Sequence, residues 1–342
     1  MVDIPPEIKW FAKLYLQETK YIRPDLLDLL RINVIENYNS FVEYGKIYEK
    51  EKDENYIDAF KRQDSSFMYR WGKYQIERAA IRNPLPNDVK VKHELNESMR
   101  GNWIDVPEAN QDHVIMYIHG GAYVGGSIDA LLLPYRVAKA TGVRLINVHY
   151  GLAPRHPFPE GLDYVFRAYK WLLNDFKPQN IIIGGESAGG GLTLALLLKL
   201  RDDSLPLPAT AFGFAPWTDL AFQGASYKVN AKSAATLHEI RLRTSVKIYL
   251  SGSETDPFHP YVSPVYDDLA GLPPLLIHVG GLEIFVSDAV QLAENARVAG
   301  VKVTYKRYDG MPHVFQMLDF SLPEVKDSFN EICKFVQGKF NL

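Results

Sequence analysis

IIIGGESAGGGLTL, residues 181–194, runs three isoleucines into a cluster of glycines around a single serine, then into an apolar stretch. Glycine loses more conformational freedom on folding than any other residue, so such a run is costly inside an ordinary helix or strand. The flanks give it a use. NIII (180–183) reads as a strand and LTLALLLKL (192–200) as a helix, which puts the glycines at the turn between them. Gly185-Glu186-Ser187-Ala188-Gly189 fits G-x-S-x-G, in which a serine rides a sharp strand-to-helix turn with its hydroxyl exposed and neighbouring backbone close. Only small neighbours permit that approach. A phosphate loop would need G-x-x-x-x-G-K-[ST] and a dinucleotide site G-x-G-x-x-G opening the helix; residues 184–191 supply neither. Ser187 is therefore the candidate nucleophile.

Outward from this turn, short strands alternate with helices. The strand candidates are VKVKHEL (89–95), HVIMYIHG (113–120), VRLINVHY (143–150), NIIIGGE (180–186), ATAFGFAP (209–216), PLLIHVGG (274–281) and VKVTYKRYD (301–309). VKVKHEL alternates with period two, as an exposed strand does. Several others are continuous apolar runs, which suits parallel strands buried on both faces. Residues 159–176, 190–203, 287–300 and 324–340 read as helices. Alternation of this kind predicts an α/β fold built on a doubly wound sheet.

Two stretches break the rhythm. Residues 1–80 read as helical, with Trp10, Phe11, Leu14 and Tyr15, then Leu26, Leu27, Leu29 and Leu30, at helical spacing. The charge-dense YEKEKDENYIDAFKRQD (48–64) reads as a solvated helix face or loop. Residues 217–260 are helical or irregular between two strands, an insertion at the carboxyl end of the sheet, where α/β enzymes place their ligands. The expected organisation is an N-terminal helical cap segment, 1–80, and a main domain, 81–342, with a cap insertion at about 217–260.

A serine hydroxyl needs a base to take its proton and backbone donors where the oxyanion forms. His119-Gly120-Gly121-Ala122 follows the strand HVIMYI and resembles the HGGG-type loop of esterases and lipases. Its small residues let amide hydrogens point into a site, and Ala122 can replace glycine there if its φ is negative. The amide of Ala188, the residue after the nucleophile, is the further donor. Of nine histidines, His313 lies in a turn after the last strand, marked by Gly310 and Pro312, and fits the chain order serine, acid, histidine. His149 and His278 lie within strand patterns and read as core or supporting residues; His156, His238 and His259 read as surface or lid. The acid should follow PLLIHVGG. Glu283 sits at that strand's end, whereas Asp288 begins the next helix and suits a carboxylate complementing the helix dipole. Position therefore favours Glu283.

Composition narrows the rest. The 342 residues suffice for a large core, and a 46% hydrophobic, 23% charged chain is ordinary for a soluble enzyme. A net charge of -3 gives no reason to expect nucleic acid. One cysteine, Cys333, precludes an internal disulfide and, lying in FNEICKFV, reads as a buried core residue. The opening MVDIPPEIKW lacks the basic and apolar regions of a secretory signal, and no window reaches the roughly 18–20 apolar residues of a membrane span. A soluble, cytoplasmic protein is expected. HExxH is absent, so a zinc hydrolase has no obvious ligand set.

HGGAYVGGS, HYGLAPRHPFPEGLDY, GGESAGGGLTLALLLKLRD, APWTDL, HPYVSPVYDDLAGLPPLLIHVGGLEIFVSDA and VKVTYKRYDGMPHVFQ together span about residues 89–320. In that order they resemble the hormone-sensitive-lipase family of carboxylesterases, the bacterial family IV. The resemblance implies an α/β-hydrolase fold: a mostly parallel, eight-stranded sheet with a helical cap. It implies a Ser187–His313–Glu283 triad, the acid being aspartate or, in one subgroup, glutamate. Gly120, Gly121, Ala122 and Ala188 would surround the oxyanion. It implies hydrolysis of short- to medium-chain esters through an acyl-enzyme, no metal or organic cofactor, and leaves a homodimer through the sheet edge open. The family's YRLAPE reads Tyr150-Gly151-Leu152-Ala153-Pro154-Arg155 here, and its usual aspartate before the serine is Glu186. Trp10, Phe11, Trp71 and Tyr74 line either an acyl pocket or the packing between cap helices. A lactonase, amidase or peptidase would share the triad; a non-catalytic binding relative would lack one of its members.

Overall fold

The computed structural model describes residues 3–6, 9–12, 24–52, 55, 84–126, 130–234, 237 and 239–340. Two N-terminal helices, α1 (Lys9–Ala12) and α2 (Pro24–Lys52), precede the sheet. Then follow β1 (Lys90–Leu95), β2 (Arg100–Asp105), β3 (Asn110–Ile118), α3 (Leu132–Thr141), β4 (Val143–Val148), α4 (Glu160–Leu172), β5 (Ile181–Glu186) and α5 (Ala188–Asp202). After these come β6 (Thr210–Phe214), α6 (Ser226–Val229), α7 (Glu239–Tyr249), β7 (Leu275–Gly280), α8 (Val286–Val298), β8 (Val303–Tyr308) and α9 (Pro323–Phe340). Leu14, Tyr15, Trp71, Tyr74, His238 and most of 53–83 lie outside the described residues. The backbones of Trp10, Phe11, Leu26, Leu27, Leu29 and Leu30 are helical, and their side chains lie outside the description.

The eight strands form one sheet in the order β1-β2-β4-β3-β5-β6-β7-β8. β1 pairs antiparallel with β2, and β2 antiparallel with β4; every other pairing is parallel. β3 shows how side chains divide between the faces. Val114, Met116 and Ile118 join one core, and Ile115 and Tyr117 the other, as a period of two requires. The first core packs α4, α5 and α8, and the second packs α3 and α9. Helices on both faces give the doubly wound arrangement. α5 is apolar almost all round, with Leu192, Leu194, Leu196, Leu197, Leu198 and Leu200 all buried, as befits a helix covered on every side.

Two elements escape the sequence pattern. β2, RGNWID, carries glycine and three polar or charged side chains at strand positions, a composition that resembles a loop. Its strand state comes from pairing on both edges, with Gly101 opposite both Glu94 and Val148. α3 supplies Leu133, Val137 and Ala138 to the second core but follows a glycine-rich stretch with no cap signal. Cys333 corrects an expectation: it is only half-buried on α9, flanking the face that buries Phe329, Ile332 and Val336.

The glycine turn after β5 is packed to contact. A Cβ on Gly189 would lie 1.9 Å from the Ile118 carbonyl oxygen and 2.6 Å from that of His119. Both neighbours are backbone at the end of a central strand and cannot swing aside. Gly189→Ala is expected to destabilise the fold by about 3 kcal/mol, the upper end of ordinary overpacking. A urea midpoint within experimental error of the parent would contradict this contact.

Candidate active site

Ser187 stands at the junction of β5 and α5 with φ 55° and ψ −122°. A non-glycine residue at positive φ is strained and persists only where its surroundings hold it. Three backbone bonds do so: the Ser187 amide donates to Phe214 O (2.9 Å), and its carbonyl accepts from Gly191 N (3.1 Å) and Trp217 N (3.0 Å). Ala188 opens α5, so its amide is among those the helix itself cannot satisfy.

His313 follows β8, and its Nδ1 lies 2.5 Å from Glu283 Oε2. That carboxylate is 1% exposed, and its other oxygen accepts the Gly280 amide at 2.8 Å. The carboxylate partner calls for the Nδ1–H tautomer, leaving Nε2 as the basic face. An aromatic train runs beside the site: Tyr123 to Trp217 (5.6 Å), Trp217 to Phe285 (5.4 Å) and Phe285 to His313 (5.2 Å). The loop carrying Glu283 is also pinned by residues 226–230. Asn230 Nδ2 donates to Glu283 O at 2.9 Å, and Ser226 Oγ to Ile284 O at 2.5 Å.

Asp288, the alternative acid, lies elsewhere. Its Oδ2 accepts the amides of Thr218 (3.0 Å) and Asp219 (2.9 Å) and the Tyr227 hydroxyl (3.1 Å). Burial and the nearby Asp219 push its carboxyl well above the usual range. It is the third residue of α8, but it fastens the turn at 218–219 after β6 rather than standing exposed as a dipole partner. His278 is buried in β7 with Nδ1 2.9 Å from Ser328 Oγ, and burial lowers its pKa to about 3. His156 pairs with Glu160 at the surface.

The His119–Ala122 loop meets the elbow directly, since a Cβ on Gly120 would come 3.1 Å from Ser187 Cβ. Two expectations for this loop need correction. The Gly120 amide faces away from an oxyanion position, donating instead to Glu186 Oε1 at 2.7 Å. Ala122 has φ 54°, and Tyr123 φ 64°, so the condition of negative φ is not met. The left-handed conformation is imposed by the loop's own closure. Gly125 N and Val124 N both donate to Gly121 O (2.8 and 3.2 Å), and Tyr123 stacks on Tyr249 of α7 at 4.1 Å. His119 is buried and neutral, its pKa lowered to about 4 by burial, with Nδ1 2.7 Å from Gly120 O. Tyr150 OH donates to His119 O at 2.9 Å and stacks on the ring.

In sequence, Glu186 stands out only as a departure from the family pattern and Tyr117 as an ordinary strand residue. Tyr117 OH donates to Glu186 Oε2 at 2.5 Å, and burial raises the Glu186 carboxyl to about 7 against the opposing pull of these donors. The available signal was the acid itself, lodged in a run of small and apolar residues. Among the described residues, no group of three or more His, Cys, Asp or Glu side chains is placed to hold a metal ion. Nor is any described helix long and apolar enough to cross a membrane.

A family model for the α/β-hydrolase fold matches residues 115–317. An esterase of Acinetobacter venetianus is 39% identical over 263 residues, covering 76% of this chain and 85% of its own length. An acetyl-hydrolase of Streptomyces hygroscopicus is 40% identical over 222 residues, 64% of this chain and 74% of that protein. The crystal structure of an esterase from the bacterial hormone-sensitive-lipase family superposes with a TM-score of 0.75 at 36% identity, covering 80% of this chain and 91% of the other.

Proposed function

The chain belongs to the α/β-hydrolase-fold family, in its hormone-sensitive-lipase branch, and from that membership we propose that it is a serine carboxylesterase acting through Ser187, His313 and Glu283. The observation that carries the assignment of roles is the 2.5 Å pair of His313 and Glu283 behind a serine held at φ 55° on the elbow. His313 Nε2 takes the proton of Ser187 as its oxygen attacks the ester carbonyl. The amides of Gly121, Ala122 and Ala188 receive the oxyanion, the Ala122 N–H serving from the left-handed conformation that the loop's closure imposes. His313 returns the proton to the departing alcohol, Glu283 stabilising the imidazolium, and water then releases the acid from the acyl-enzyme.

The cap insertion of 217–260, with the N-terminal helices, would cover the acyl site. Tyr249 of α7 already stacks on Tyr123 beside the oxyanion loop, which brings a bulky wall close to the reacting carbonyl. A wall of that kind favours short- to medium-chain acyl groups over long ones. A panel of nitrophenyl esters of graded acyl length, run beside lactones and anilides, is expected to peak below about ten carbons with anilides at least about 100-fold slower. A maximum in kcat/KM for lactones or anilides would move the activity to another class on the same triad.

A further inference from the structure

We propose that Glu186 is the positioning residue of the oxyanion site: its carboxylate ties the His119–Ala122 loop to the turn carrying Ser187, and so sets the spacing between the two groups of amide donors. The inference deepens the reading of Ser187 as nucleophile and rests on it.

The donors come from segments far apart in sequence. Gly121 and Ala122 follow β3, whereas Ala188 opens α5. The β3–β5 ladder ends at Ile118 and Gly185, and beyond it the Glu186 side chain bonds the loop to the elbow. Glu186 Oε1 accepts the Gly120 amide at 2.7 Å across 66 positions of sequence, and Oε2 accepts Tyr117 OH at 2.5 Å. Both donors belong to the β3 side, and the acceptor is the residue immediately before Ser187. Gly120 is gripped at each end, its amide by Glu186 and its carbonyl by His119. There is no slack at the contact: a Cβ on Gly120 would meet Glu186 O at 2.9 Å and Ser187 Cβ at 3.1 Å.

A carboxylate is an expensive way to satisfy one amide. Burial opposes its charge, and the groups that bear on it are the Tyr117 and Tyr150 hydroxyls and His313, with neutral His119 beyond Gly120. Among the described residues, no lysine or arginine bonds to the carboxylate. A purely structural need at Gly120 would be met by a neutral acceptor. The two-oxygen grip does something a single acceptor cannot: it fixes the loop in two directions relative to the elbow. Oxyanion donors must lie about 2.7–3.1 Å from the developing charge. A misplacement of about 1 Å costs on the order of 100-fold in rate.

The test compares Glu186→Ala, Glu186→Gln and Tyr117→Phe with Ser187→Ala as control, reading kcat and KM separately for a nitrophenyl ester. Glu186→Ala should lower kcat about 100-fold with KM within about threefold, because oxyanion donors act on the transition state and not on the bound ester. Affinity for phenylboronic acid, whose serine adduct is tetrahedral, should fall in parallel. Glu186→Gln keeps an acceptor for Gly120 and should retain kcat within about tenfold. Tyr117→Phe removes a single hydroxyl, leaves the fold intact and should lower kcat about tenfold at constant KM. It decides the matter if the alanine variant fails to fold. A kcat within twofold of the parent in Tyr117→Phe, or a Glu186→Ala loss confined to KM, overturns the positioning role. Turnover retained by Ser187→Ala would instead remove the reading of the site on which it rests.

Discussion

Ser187→Ala is expected to reduce kcat for nitrophenyl esters by at least about 10⁴-fold while leaving the thermal transition in place. On the proposed mechanism the Ser187 side chain supplies the attacking atom. Structural disturbance should be small. The bonds that hold residue 187 at φ 55° use its backbone amide and carbonyl, and alanine keeps both. Residual turnover of about 10³-fold over water would still be expected from the oxyanion donors and substrate binding. Burst kinetics give an independent check, since the variant should lose the rapid release of nitrophenol with the steady-state rate. A burst of unchanged amplitude would place the nucleophile elsewhere.

Glu283→Gln and Asp288→Asn should separate widely. Glu283 holds the imidazole of His313 through a 2.5 Å bond, and an amide presenting its NH₂ there would impose the wrong tautomer, with an expected loss of about 10⁴-fold in kcat. Asp288 accepts two amides and a hydroxyl through one oxygen, a task an asparagine carbonyl performs nearly as well. Its carboxyl is already driven toward the neutral form by burial, so replacing it by a neutral amide removes little charge. The asparagine variant should keep kcat within about tenfold and show any deficit in stability instead. A greater kcat loss for Asp288→Asn than for Glu283→Gln would reverse the two roles.

The two carboxylates illustrate what is readable along the chain. Both follow the same strand and lie five positions apart, and only their relation to the strand end distinguished them; the partner each finds depends on where the chain brings His313 and residues 218–219. β2 makes the same point for secondary structure. Its composition argues for a loop, and pairing on two edges overrides that preference. Cys333 shows the limit of an apolar pattern, since a neighbour of the buried stripe on α9 need not be in it.

What the sequence determined by itself was local or periodic: the strand–turn–helix around Ser187 and the alternation that makes an α/β sheet. These depend on residue spacing and on the room that glycine leaves, and both can be counted along the chain. Tertiary structure alone decided the rest. It turned the Gly120 amide toward Glu186 and brought Tyr117 onto the carboxylate beside Ser187. Those are contacts between segments tens of residues apart, set by how the ends of β3 and β5 meet, and no local preference encodes them.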